Sequence, residues 1–123
     1  MFKYFNPNPL GKLVGDCSVR ALCAALNLSW DEAYALMSAN GFAMADMPSS
    51  NEVWGDELYK RGFERLAINT NCPNCFTAED FCENNPRGLF VLGFGDHVCT
   101  VKNGTIYDSW DSRRKVPQYV WRY

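Results

Sequence analysis

The chain has a single histidine, His97, so any reaction that needs an imidazole has only that residue to use. It has no apolar run long enough to span a bilayer. Its opening residues, Met1-Phe2-Lys3-Tyr4-Phe5-Asn6-Pro7, lack the apolar core of a secretory signal. An excess of positive charge is also missing. The net charge is -2, which gives no basic footprint for a nucleic-acid backbone. The only basic cluster, Arg113-Arg114-Lys115, reads as a solvated turn. These absences predict a cytoplasmic protein with neither a membrane nor a nucleic-acid partner. In a reducing cytoplasm its six cysteines are free thiols, and their even number is no sign of a disulfide framework. What is present is an ordinary globular composition. With 47% hydrophobic residues in 123, the chain is long enough for one folded domain, 1–123.

The most informative stretch is Gly15-Asp16-Cys17-Ser18-Val19-Arg20-Ala21-Leu22. Asp16 is a favoured N-cap type, and Val19, Leu22, Cys23 and Leu26 recur at helical spacing behind it. The spacing predicts a helix from Cys17 to about Asn27, with Cys17 at its first position. There the free N–H groups and the positive end of the helix dipole stabilise a thiolate. The alternative is a buried structural cysteine in a helix that happens to start there. Arg20 stands four residues after Asp16, and an i,i+4 ion pair is its structural reading. Recognition of a substrate carboxylate is its functional one.

The second informative stretch runs from Asp96 to Asp111. Asn103-Gly104 between two β-rich runs signals a two-residue hairpin turn. In that register Lys102 opposes Thr105, Cys99 opposes Asp108 and His97 opposes Trp110. His97 and Asp108 become diagonal neighbours on one face, whereas Asp111 faces away. Core packing of a histidine bonded to a strand-end aspartate would use the same register.

A helix-opening Cys, a later strand His and an Asp on the next strand resemble the papain-like cysteine peptidase superfamily. Gly15-Asp16-Cys17-Ser18-Val19-Arg20-Ala21-Leu22 is similar to the nucleophile segment of ovarian-tumour-type deubiquitinases. Asp108-Ser109-Trp110 is similar to the Asn-Ser-Trp of papain, and the order also resembles bacteriocin-processing peptidases. The whole chain is similar to a group of small uncharacterised proteins of phages and prophages of Gram-positive bacteria. The superfamily resemblance implies a cofactor-free cysteine peptidase or amidase, with a peptide or isopeptide amide as substrate. Cys17 would be the nucleophile, His97 its partner, Asp108 the residue that orients the imidazole, and Trp110 a shield over the pair. The family places an oxyanion-binding side chain, commonly Gln, shortly before the Cys. No Gln precedes Cys17, which leaves Asn8 or Asn6 for that role, beside the backbone N–H of Cys17. Local turns are the other reading of both asparagines.

The remaining sequence predicts helices, then strands. Ser29-Trp30-Asp31-Glu32 is a capping box, with Asn40-Gly41 as the stop of that helix and a loop over 42–50. Ser50 or Asn51 caps a third helix to about Arg61, 63–68 is a strand, and Thr77 caps a short helix to about Asn84. The apolar run 89–94 reads as a central strand, and 116–121 as a last edge strand because of Pro117. The expected class is α+β, papain-like, with N-terminal helices packed on a mostly antiparallel sheet. Cys72-Pro73-Asn74-Cys75 supports a rival reading as a redox dithiol, or as half a zinc site completed by Cys82 and by Cys99 or His97. A plain structural role also fits it. A third possibility is a catalytically silent papain-like shell that binds a host protein.

Overall fold

The computed structural model describes residues 1–69 and 76–123. Its elements run β1 (Phe2–Tyr4), α1 (Cys17–Leu26), α2 (Trp30–Met44), α3 (Asn51–Lys60), β2 (Glu64–Ala67), α4 (Ala78–Asn84), β3 (Leu89–Gly93), β4 (Val98–Lys102), β5 (Thr105–Asp108) and β6 (Tyr119–Arg122). The class is α+β. Among the described residues, no helix is long and apolar enough to cross a membrane.

The strands form one sheet in the order β1-β5-β4-β3-β6-β2. This corrects the expectation of a mostly antiparallel sheet. The sheet is mixed, because β1 lies parallel to β5 while the other pairings are antiparallel. A second correction concerns the last strand. β6 lies between β3 and β2, not at an edge. Pro117 does not oppose this, because the ladder begins two residues later, at Tyr119.

The hairpin register follows from its turn. Asn103 and Gly104 both have positive φ, 48° and 76°, as a twisted two-residue turn requires. Lys102 then opposes Thr105, Val101 opposes Ile106 and Thr100 opposes Tyr107. His97 immediately precedes β4 and Asp108 closes β5.

Both capping boxes are present, at Ser29 with Glu32 and at Thr77 with Asp80. α2, however, continues past Asn40-Gly41 to Met44 and ends at Ala45 in the left-handed region. Asn40 is not a stop because its side chain is used in packing. Its Nδ2 donates to Val53 O at 3.1 Å and to Asp56 Oδ2 at 3.0 Å. Gly41 stays helical in a place where a Cβ would lie 2.9 Å from Asp46 O, so the close approach of 46–48 demands glycine.

The sheet is covered on both faces. On one, Val91, Val98, Tyr119 and Trp121 pack against Leu22 of α1, Met37 of α2 and Trp54 and Leu58 of α3. On the other, Phe90, Leu92, Cys99 and Val101 meet Phe81 and Cys82 of α4. α1 is also tied to β4 by a buried bond from Thr100 Oγ1 to Ala21 O at 2.8 Å. This anchoring brings the start of α1 to the sheet end where β4 begins and β5 ends.

Candidate active site

Cys17 is the first residue of α1, as its spacing predicted. Asp16 precedes it, but its carboxylate does not cap the helix. Asp16 Oδ1 accepts from Arg20 Nη1 at 2.7 Å and Oδ2 from Trp30 Nε1 at 2.9 Å. The carboxylate is thus drawn sideways by two donors, and the first N–H groups of α1 stay free of a capping side chain. The turn also keeps the Asp16 charge away from the sulfur, where it would oppose a thiolate.

The Cys17 thiol bonds to the His97 side chain and to the Val98 backbone. His97 Nε2 lies 2.6 Å from Asp108 Oδ2, which leaves Nδ1 as the ring nitrogen facing the sulfur. Asp108 is 0% exposed, yet both of its oxygens are fully occupied. Oδ1 accepts from Ser109 N at 2.7 Å and pairs with Arg20 Nη2 at 3.1 Å. Oδ2 accepts from Ser112 Oγ at 2.7 Å and from His97. A buried carboxylate with four donors stays ionised and fixed.

The electrostatics follow from this chain of partners. Burial raises the Cys17 pKa, but the bonds to His97 and Val98 outweigh it, and the charges of His97 and Arg20 add to them, so the net direction is down. Burial likewise disfavours charge on His97. The bond to Asp108 and then the bond to Cys17 outweigh it and push the pKa up to about 9. Burial also opposes ionisation of Asp108, but His97, Ser112 and Arg20 hold its pKa below the ordinary carboxylate range. Each partner therefore favours the thiolate–imidazolium pair. The other described cysteines behave in the opposite way. Burial pushes Cys23 up to about 11 and raises Cys82 and Cys99 as well.

Trp110 stands beside the imidazole, with its ring centroid 4.7 Å from that of His97. It is 44% exposed, so one side remains available to solvent or substrate. Phe94 stacks on the imidazole as well, with centroids 5.9 Å apart. Two clefts meet at Cys17 and His97. One, of about 250 Å³, is lined further by Trp54, Phe94, Gly95 and Tyr119. The other, of about 350 Å³, is rimmed by Leu13, Val14 and Trp110.

Asn8 lines neither cleft. Its Oδ1 accepts from Leu10 N at 2.9 Å and from Lys12 N at 3.2 Å, so it builds a turn. Asn6 does the same, accepting from Asn8 N and donating to Lys12 O. Asp111 turns to solvent and binds Arg113 at 2.7 Å, as its parity predicted. Sequence reasoning missed Ser112 and the second reach of Arg20, from Asp16 on to Asp108. Ser112 is only four residues from Asp108, but it lies past the end of β5, where strand parity gives no signal, and Arg20 reaches Asp108 from a distant part of the chain.

Cys72 and Cys75, the rival dithiol or zinc ligands, lie outside the described residues. Cys82 is buried in the apolar layer with Phe81 and Phe90. Among the described residues, no group of three or more His, Cys, Asp or Glu side chains is placed to hold a metal. Compared with protein-family models, curated proteins and solved structures, the chain matches none.

Proposed function

We propose that this chain is a papain-like cysteine hydrolase that transfers the acyl group of a peptide or isopeptide amide through Cys17. The observation that carries the reading is the Cys17–His97–Asp108 relay, which opens to a cleft at Cys17. It connects the one described thiol with a lowered pKa to the only histidine and to a carboxylate held by four donors. Cys17 Sγ would attack the carbonyl carbon, and the His97 imidazolium would give its proton to the leaving amine. Asp108 would keep Nε2–H engaged, so that Nδ1 faces the sulfur. Water, deprotonated by His97, would then release the acid.

The test is the rate of alkylation by iodoacetamide, read residue by residue from about pH 5 to about pH 9 in wild type and His97→Ala. Cys17 is expected to react fastest at the acidic end, and to lose that advantage by roughly tenfold or more when the imidazolium is removed. A Cys17 that titrates as an ordinary thiol in both proteins would end the enzyme reading. The absence of Asn8 from the cleft favours a second reading, a papain-like phage protein that binds a host protein without turnover. That reading predicts a fast Cys17 with no acyl transfer from any ester or amide.

A further inference from the structure

Tyr119 is 9% exposed, yet its hydroxyl has no hydrogen-bond partner among the described residues. The ring is buried while the hydroxyl at its tip reaches the surface of a cleft, which leaves an O–H free to donate to a ligand atom there. The cleft is the one that holds Cys17 and His97. The direction of the ring is set by the sheet. Tyr119 opposes Gly93 on β3, which in turn opposes Val98 on β4, whose backbone bonds to the Cys17 sulfur. The ring crosses directly over Gly93, where a Cβ would lie 1.9 Å from Tyr119 Cζ. The hydroxyl is therefore carried from β6 across β3 toward the nucleophile. Arg65 closes the arrangement, with its guanidinium 4.2 Å from the ring centroid.

We propose that the Tyr119 hydroxyl is the side-chain oxyanion donor of this site, acting with the backbone N–H of Cys17. This assignment rests on the hydrolase reading above, and it fills the role that Asn8 does not. When Cys17 Sγ bonds to the carbonyl carbon, the C=O π electrons move onto oxygen. That oxygen accepts from Tyr119 O–H and Cys17 N–H, and Tyr119 keeps its proton throughout. Collapse restores the C=O bond and expels the leaving group. Burial raises the Tyr119 pKa and the charge of Cys17 raises it further, while Arg65 works the other way. The phenol thus remains a donor at neutral pH.

The experiment compares two reagents on Cys17 in wild type, Tyr119→Phe and His97→Ala. p-Nitrophenyl acetate acylates through an oxyanion, whereas iodoacetamide alkylates by displacement at carbon and forms none. Tyr119→Phe removes one oxygen and keeps the ring over Gly93. It is expected to slow acylation roughly tenfold or more, and to leave alkylation unchanged within about twofold. Unchanged acylation would overturn the assignment, as would a parallel loss with both reagents, which would place the effect on the thiolate instead. If iodoacetamide reacts no faster with wild-type Cys17 than in His97→Ala, the hydrolase reading itself fails and the assignment falls with it. A fast wild-type Cys17 with an unaffected Tyr119→Phe would remove only the role of Tyr119.

Discussion

Arg20 shows how much of this site is held by charge. The residue is 4% exposed, and its guanidinium spans from Asp16 at 2.7 Å to Asp108 at 3.1 Å. Along the chain of partners the signs alternate: Asp16, Arg20, Asp108, His97, Cys17. A buried group in such a series is stable only while its neighbours keep their charge. His97 makes this measurable through pH. Its folded pKa of about 9 lies above its ordinary 6.5. Its stabilisation is therefore complete below pH 6.5 and is lost as pH rises through about 9. Cys17 has the opposite slope, because its pKa is lowered from 9.0 and it stabilises more as pH rises toward that value. In wild type the two slopes offset each other. In Cys17→Ser only the histidine slope remains, still driven by Asp108, the larger of the causes that raise it. Urea unfolding of Cys17→Ser is expected to show stability declining as pH rises above about 6.5, more steeply than in wild type. Equal slopes in the two proteins would mean that Cys17 does not share the proton balance of His97.

The elements were legible wherever the signal was local. Asn103-Gly104 set the hairpin register, Ser29 announced its helix through a capping box and Thr77 through its type as a cap residue. His97 and Asp108 came together through the two-residue turn, a short-range fact, whereas Cys17 joins them through the docking of α1 on β4, which no local pattern encodes. Elements that depend on distant partners were not legible. β1 has only three residues, and it exists because Phe2 to Tyr4 pair in parallel with Ile106 to Asp108. Asn40-Gly41 resembles a helix stop, and only packing against 46–56 shows why it is not one. The interior place of β6 follows from its ladders to β2 and β3, which no local pattern encodes. Gly93 was the one available hint of Tyr119, since glycine inside an apolar strand often marks a close approach. Gly93→Ala should therefore act on the strand and the site together. Its Cβ would overlap Tyr119 Cζ, Cε1 and Cε2, so the ring must leave the position it holds over β3. The expected cost is about 1–3 kcal/mol by chemical denaturation, the range for overpacking a filled core. Near-ultraviolet circular dichroism should report the moved tyrosine. An unperturbed spectrum at wild-type stability would show that β3 and β6 can separate without loss.

At the scale of the whole molecule, one sheet serves two apolar layers. Val91, Tyr119 and Trp121 face α1 to α3, while Phe90, Leu92 and Val120 from the same strands face α4. Residues that alternate along shared strands cannot lose one layer without disturbing the other, so the two are expected to melt together. The free thiols give separate reporters. Cys23 lies in the first layer, Cys82 and Cys99 in the second, and all three are buried with raised pKa. Cys17 sits in the open cleft and is expected to react before unfolding. Pulsed alkylation across a urea series should give Cys23, Cys82 and Cys99 one common midpoint, with Cys17 labelled throughout. If Cys82 is exposed at lower urea than Cys23, the α4 layer opens on its own. Cys99 then decides what that opening means for the site. It is fully buried, bonds to Ser112 and feels the charge of Asp108, so it reports the backing of that carboxylate. Early labelling of Cys99 together with Cys82 would mean that Asp108 loses its support while α1 is still folded. Labelling of Cys99 with Cys23 would mean that the relay persists until the sheet itself is lost.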